Sequence, residues 1–101
     1  MYQKISFILP CLNEQEGIKI VLTEIIEVSQ KNNLDFEIII SDNNSSDDSI
    51  LIARKIIQEL WYIDRLKIVI EKQKGYGVTY RTGFDNASGD IFIMADSDGT
   101  Y

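Results

Sequence analysis

The sequence contains no histidine, one cysteine and one proline in 101 residues. The absence of histidine excludes Ser-His-Asp and Cys-His nucleophilic systems within the chain, and most zinc sites. The single cysteine, Cys11, cannot form an internal disulfide and fits a reducing compartment. No apolar run approaches the ~18 residues of a membrane span, and residues 1–4 lack a signal-peptide pattern. We therefore expect a cytoplasmic protein, with contact to the cytoplasmic face of a membrane only through parts outside this chain.

The charge balance is acidic, with a net charge of −6 and a pI of about 4.5. Nucleic-acid binding requires a basic face, so no nucleic-acid partner is expected. The chain is 45% hydrophobic and 26% charged, which is typical of a single soluble domain. If it binds a phosphate-bearing ligand, then lysines, backbone N–H groups or a divalent cation must offset its negative charge.

Short apolar runs alternate with segments of helical periodicity along the chain. The predicted strands are Ile5–Leu9, Phe36–Ile40, Leu66–Ile70 and Ile91–Ala95, and the predicted helices are Glu14–Ser29, a segment around Ile52–Leu60, and Val78–Ala87. This alternation predicts a three-layer α/β fold with a mostly parallel, Rossmann-like sheet.

Two boundaries follow from residue type. Pro10 is predicted to end the first strand, and the polar run from Ser41 to Asp48 to form a loop outside the core. The sequence ends shortly after the fourth strand, so we expect residues 1–101 to be an incomplete domain, truncated after that strand. Ile91–Ala95 would then be an exposed apolar edge, which predicts either self-association through it or a partner that covers it.

Ligands of open parallel sheets bind outside the carboxyl ends of the strands. The segments at these ends are residues 10–14, 42–47, 72–77 and 96–98. Asp96 and Asp98 could both face one small site, and Mg²⁺ and Mn²⁺ prefer oxygen ligands. The alternative is that these acids only solvate a turn.

The other three segments also allow two interpretations. Glu14 is either a ligand or an acid favoured at a helix start. Asn43 could read a base edge, whereas Ser and Asp residues of the same segment are expected to cap a helix. Lys74, next to the glycine-rich turn Gly75-Tyr76-Gly77, is a candidate nucleotide-sugar ligand or a solvated surface residue.

Taken in order, the segments PCLNE, SDNNSSDDS, KGYGVTYRTG and ADSDG resemble the motifs of family-two, inverting glycosyltransferases of the GT-A fold. The resemblance covers essentially the whole chain. The N-E of the first motif and the D-S-D-G of the last are most similar to polyprenyl-phosphate sugar transferases. The resemblance implies a transferase that binds a UDP- or GDP-sugar with Mg²⁺ or Mn²⁺.

The resemblance also implies roles for particular residues. The residues that would contact the nucleotide sugar fall into three groups. Pro10, Leu12 and Glu14 would line the nucleotide, Ser41 and Asn43 would contact the base, and Asp96 and Ser97 would flank the ribose and phosphates. Asp98 would bind the metal, with help from Asp96. Asn43 departs from the family pattern, which usually has Asp there. No catalytic residue is expected within the chain, because the family's acceptor site and general base lie beyond the D-x-D motif.

Two other functions compete with a glycosyltransferase. A phosphate-receiving signalling domain would need an acidic pair after the first strand, where this sequence has Pro10-Cys11. A noncatalytic nucleotide-binding or scaffold module of the same fold would use the strand-end acids only as solvated loops. Metal-dependent binding of a nucleotide diphosphate separates these alternatives from the transferase.

Overall fold

The computed structural model describes residues 3–96, except for the side chain of Tyr76. The elements are β1 (Lys4–Cys11), α1 (Ile18–Lys31), β2 (Asp35–Asp42), α2 (Ser49–Glu59), a 3-10 turn (Ile63–Arg65), β3 (Leu66–Ile70), α3 (Tyr76–Asp85) and β4 (Ile91–Met94). Ser97 and Asp98 of the predicted D-x-D site lie outside the described residues. Between residues 3 and 96, none of the helices has the length and apolar character needed to cross a bilayer.

The strands form one parallel sheet with the order β3-β2-β1-β4. β1 and β2 lie in the centre, and their apolar side chains are almost fully buried. The helices cover both faces, so the three-layer α/β class predicted from the sequence is confirmed.

Alternate residues of the central strands face different helices, as the pleat of a strand requires. Leu9 and Ile38 belong to the core that β1 and β2 share with α1 and α2. Ile8, one residue away, points to α3. Gly83 of α3 makes this approach possible, because a Cβ atom there would lie 2.6 Å from Cγ2 of Ile8.

The prediction that Pro10 ends the first strand is wrong, because β1 continues to Cys11. The carbonyl of Ile8 accepts a hydrogen bond from the N–H of Ala95. Pro10 is two residues further along β1, so its backbone groups point to the same side of the strand as those of Ile8, toward β4. The pairing with β4 ends at Ile8, whereas Pro10 still pairs in register with Ser41 of β2. The missing N–H of Pro10 therefore falls where no ladder bond is needed.

Two further sequence-based boundaries are corrected. Ser41 and Asp42 belong to β2 and are buried, although the polar run was expected to lie outside the core. Their polar groups are satisfied locally, since the Ser41 hydroxyl donates to the carbonyl of Thr79 and Asp42 accepts from Ser45. α1 begins at Ile18 rather than Glu14, after a turn in which Gly17 and Ile18 donate to the Glu14 carbonyl.

A buried carboxylate, Glu37, ties the opposite end of the sheet together. It accepts hydrogen bonds from the Ser6 hydroxyl at 2.6 Å and the Ser88 N–H at 2.6 Å, and Lys67 lies 3.3 Å away. Burial alone raises the pKa of the Glu37 carboxyl, but the hydrogen bonds from Ser6, Ser88 and Lys67 together outweigh it, and the pKa is lowered from 4.5 to about 2. The connection between α3 and β4 is thus fixed to both central strands.

The lowered pKa predicts a pH dependence of stability. Because the carboxyl is more acidic in the folded chain than in the unfolded chain, its stabilisation is present above pH 4.5 and is lost as the pH falls toward 2. The loss should be on the order of 3 kcal/mol. Denaturant unfolding of the Glu37→Gln variant should lack this component, whereas Glu27→Gln, at an exposed position of α1, should retain it. If the free energies of unfolding of the two variants changed with pH in the same way, the role assigned to Glu37 would be contradicted.

Candidate functional site

The carboxyl ends of β1, β2 and β3 lie side by side. The parallel register pairs Cys11 with Asp42 and Asp42 with Ile70. Backbone hydrogen bonds continue the pairing past the strand ends, from Asn43 N–H to the Cys11 carbonyl and from Glu71 N–H to the Asp42 carbonyl, both at 2.7 Å. The three loops that leave these strands therefore start from one edge.

These loops enclose a cleft of about 630 Å³. Five of the residues predicted from sequence to bind the nucleotide sugar line it: Pro10, Leu12, Glu14, Asn43 and Lys74. The structure thus brings together side chains that are up to 64 residues apart in sequence, as expected for the strand ends of one parallel sheet.

The other predicted site residues lie elsewhere. Ser41 is fully buried beneath the cleft, with its hydroxyl donated to the Thr79 carbonyl at 2.6 Å. Asp96 is exposed just beyond β4 and is not part of the cleft wall. Ser97 and Asp98 fall outside residues 3–96. The ligand roles of all these residues, and of the five in the cleft, remain predictions.

The cleft also contains residues that were not predicted as ligands. Asn13, Asn44, Lys72, Gly75 and Thr79 complete its wall. The first four belong to strand-exit segments, so their position relative to the strands was a usable signal. Thr79 lies inside α3, and only the packing of that helix across the sheet brings it to the cleft.

Asn13 joins the loop after β1 to the loop after β2. Its backbone has a positive φ of 53°, which Asn tolerates better than most residues. Its Oδ1 atom accepts hydrogen bonds from the N–H groups of Ser46 at 2.9 Å and Asp47 at 3.3 Å, and its own N–H donates to the Ser45 hydroxyl at 3.0 Å. The two loops therefore form one hydrogen-bonded unit.

The acids of the second loop are already used as hydrogen-bond acceptors. Asp42 accepts from the N–H and hydroxyl of Ser45. Asp47 accepts from the N–H of Ser49, the first residue of α2, whereas the N-cap residue itself, Asp48, makes no side-chain cap hydrogen bond. Slight burial raises the pKa of Asp47, but the hydrogen bonds from Ser49 and Gln15 have the larger combined effect and leave its pKa below the ordinary value.

The charged groups on the cleft wall have both signs. Lys72 and Lys74 lie on the loop after β3, and Glu14 lies on the loop after β1. Two ammonium groups at the wall could pair with the phosphates of a ligand in an otherwise acidic chain. Within residues 3–96, no group of three or more acidic, cysteine or histidine side chains is arranged to hold a metal ion. Of the two predicted metal ligands, Asp96 and Asp98, Asp96 is the one within the described residues.

The fold is shared with solved glycosyltransferases. A mannosyltransferase from Pyrobaculum calidifontis, solved with GDP-Man and Mn²⁺, superposes with a TM-score of 0.82 at 24% identity, covering 97% of this chain and 28% of that one. Glucosyl-3-phosphoglycerate synthase from Mycobacterium tuberculosis, solved with Mn²⁺, UDP and phosphoglyceric acid, gives 0.76 at 26% identity, covering 94% and 33%. The chain therefore has the GT-A glycosyltransferase fold.

The sequence assigns the chain to one family within this fold. Residues 6–101 match the model of Glycosyl transferase family 2, and the chain belongs to that family. Among curated proteins it is 29% identical over 98 residues to undecaprenyl-phosphate 4-deoxy-4-formamido-L-arabinose transferase of Proteus mirabilis, which covers 94% of this chain and 29% of the relative. The chain thus spans about three tenths of that relative's length.

The role of Asn13 in joining the two loops is testable with a matched asparagine. Asn33, after α1, also has a positive φ, of 52°, so Asn13→Ala and Asn33→Ala lose the same backbone preference. Only Asn13→Ala leaves the N–H groups of Ser46 and Asp47 without their acceptor. Its free energy of unfolding, measured in urea, should fall by about 0.5–1.5 kcal/mol more than that of Asn33→Ala, because water can reach the N–H groups that lose their acceptor. Equal losses would show that Oδ1 of Asn13 contributes little.

Proposed function

We propose that this chain is the nucleotide-sugar-binding part of a glycosyltransferase that acts on a polyprenyl-phosphate acceptor. The single observation that carries the proposal is the cleft at the carboxyl ends of β1, β2 and β3, which combines Glu14, Asn43, Lys72 and Lys74 in a chain of this family. The curated relative named for undecaprenyl phosphate supports the acceptor class. Because a polyprenyl chain is held in a lipid bilayer, the proposal includes a reaction at a membrane surface, and we propose the cytoplasmic face.

The roles of the chain's own groups follow from their chemistry. Pro10, Leu12 and Glu14 form the wall along which the nucleotide binds. The base lies beside the segment that contains Ser41 and Asn43, whose side-chain donors are already used within the protein. The Lys72 and Lys74 ammonium groups pair with the diphosphate, since a lysine binds phosphate as a point charge. Asp96 and Ser97 flank the ribose and phosphates. The acceptor site and the catalytic base are supplied by other parts of the protein.

Asp96 and Asp98 are the proposed ligands of Mg²⁺ or Mn²⁺. Their carboxylate oxygens are the donors that these hard cations prefer, and Asp96 is exposed at the strand-end edge of the sheet. The Mn²⁺ in the solved structures of P. calidifontis and M. tuberculosis supports this choice. When bound, the cation supplies positive charge that stabilises the leaving nucleotide diphosphate.

The donor and metal halves of the proposal are tested by calorimetric titration of the full-length protein with UDP and GDP, with and without Mn²⁺. One of the two nucleotides should bind at least about tenfold more tightly with Mn²⁺, because the cation offsets charge between phosphate and carboxylate. Asp98→Asn should remove this Mn²⁺ effect. Asp85→Asn, at an exposed position near the carboxyl end of α3, should leave it unchanged.

Each alternative result has a defined meaning. Metal-independent binding would favour the noncatalytic nucleotide-binding module. If neither UDP nor GDP binds, the proposed function is overturned. Loss of the Mn²⁺ effect in Asp85→Asn as well as Asp98→Asn would exclude a specific metal site at the D-x-D segment.

We also propose self-association of the 101-residue chain through the predicted Ile91–Ala95 edge. Within residues 3–96, β4 pairs only with β1, and all four of its side chains are 39–60% exposed. Sedimentation should show concentration-dependent dimers, which Ile93→Lys weakens because a charge at the edge opposes strand addition. Leu51→Lys, at an exposed position of α2, is the control and should not change the dimer. A monomer at all concentrations would contradict this proposal.

A further inference from the structure

The loop between β3 and α3, residues 71–75, forms one wall of the cleft and is held by the side chain of Asn43. The two amide hydrogens on Nδ2 of Asn43 are donated to the carbonyls of Glu71 at 2.8 Å and Gln73 at 2.7 Å. Its Oδ1 atom accepts from the N–H of Gly75 at 3.3 Å. Both hydrogens of the amide are therefore used within the protein, and neither remains for a base.

The anchor is itself attached to the centre of the sheet. The backbone N–H of Asn43 donates to the carbonyl of Cys11, the last residue of β1, at 2.7 Å. One residue thus connects the end of the central strand to three backbone groups of the loop. Other hydrogen bonds of the loop are at its two ends, where Glu71 bonds to Asp42 and Thr82 and the Gly75 carbonyl accepts from Thr79. Lys72, Gln73 and Lys74 all have exposed side chains, so packing contributes little to the loop's position.

The loop's conformation needs such support. Gly75 has φ 137° and ψ 148°, a region that is essentially restricted to glycine. Glycine populates many other conformations in a free loop, and holding it in one has an entropic cost. The Gly75 carbonyl accepts from the N–H and hydroxyl of Thr79, and the hydrogen bond from the Gly75 N–H to Asn43 holds the peptide that joins Gly75 to Lys74.

The amide is chemically specific for this arrangement. An aspartate at the same position accepts hydrogen bonds only and would face two carbonyl oxygens with its negative charge. The loop could not then keep its present contacts with residue 43. The asparagine that departs from the family pattern is therefore the residue type that this loop geometry requires.

We propose that Asn43 is a positioning residue, which holds the 71–75 loop so that Lys72 and Lys74 meet the diphosphate of the donor. This rests on the proposed function, since it assumes a nucleotide diphosphate in the cleft. Asn43 acts on the phosphates through the loop, and its effect on affinity is the same for UDP and GDP.

The test compares Asn43→Asp and Asn43→Ala with Asn44→Asp in the full-length protein. Asn44 lines the same cleft, so Asn44→Asp adds an equal charge without touching the loop contacts and measures the charge effect alone. Calorimetry with UDP and GDP in the presence of Mn²⁺ should show about tenfold weaker binding for Asn43→Ala than for wild type. Asn43→Asp should bind about tenfold more weakly than Asn44→Asp.

A second measurement needs no ligand. Amide hydrogen exchange of the peptide spanning residues 71–77 should be about tenfold faster in both Asn43 variants than in wild type and Asn44→Asp. Asn43→Ala removes the acceptor of the Gly75 N–H, and Asn43→Asp replaces the two donors to the Glu71 and Gln73 carbonyls with a negative charge. Circular dichroism confirms that each variant is folded. Faster exchange with the predicted loss of affinity supports the inference.

The outcomes separate this inference from the proposed function. If wild type binds neither nucleotide, the proposed function fails and the role of Asn43 fails with it. If wild type binds but Asn43→Ala binds equally well, or if loop exchange is unchanged, only the inference on Asn43 is overturned. If wild type binds both nucleotides, a loss of affinity for one of them alone would also overturn it, because that result indicates direct contact with the base.

Discussion

The parallel pairing of β1 with β2 is the interaction on which the rest of the structure depends. It places eight residue pairs in register, from Lys4 with Asp35 to Cys11 with Asp42, and both strands are buried by helices on two faces. Because parallel strands end at the same edge, the register also decides which loop residues become neighbours. A shift by one residue would turn every core side chain to the opposite face and separate the loops that form the cleft.

Two asparagine side chains then convert three adjacent loops into one site. Asn13 connects the loops after β1 and β2, and Asn43 connects the ends of β1 and β2 to the loop after β3. An asparagine amide suits this task because it both donates and accepts, so it can satisfy backbone groups of either kind. The loops carry few apolar contacts of their own, and these hydrogen bonds take the place of packing.

At least three of the 16 acidic side chains accept hydrogen bonds that hold the fold together. Glu37 is buried among donors at one end of the sheet, while Asp42 and Asp47 accept hydrogen bonds in the loop after β2. These groups stabilise the fold and do not face the cleft. The net charge therefore says little about the local potential at the cleft, where Lys72 and Lys74 contribute positive charge.

Residue pattern alone was enough to determine the α/β class, the order of all seven main elements and the three segments, residues 10–14, 42–47 and 72–77, that meet at the strand ends, because apolar periodicity and strand polarity are local properties. It also indicated five residues of the cleft. Only the tertiary structure decided that Pro10 continues β1, that Ser41 lies buried in β2, that Thr79 reaches the cleft and that the amide of Asn43 is occupied by a loop. Each of these depends on which backbone groups of distant segments come within hydrogen-bonding distance, and no local pattern carries that information.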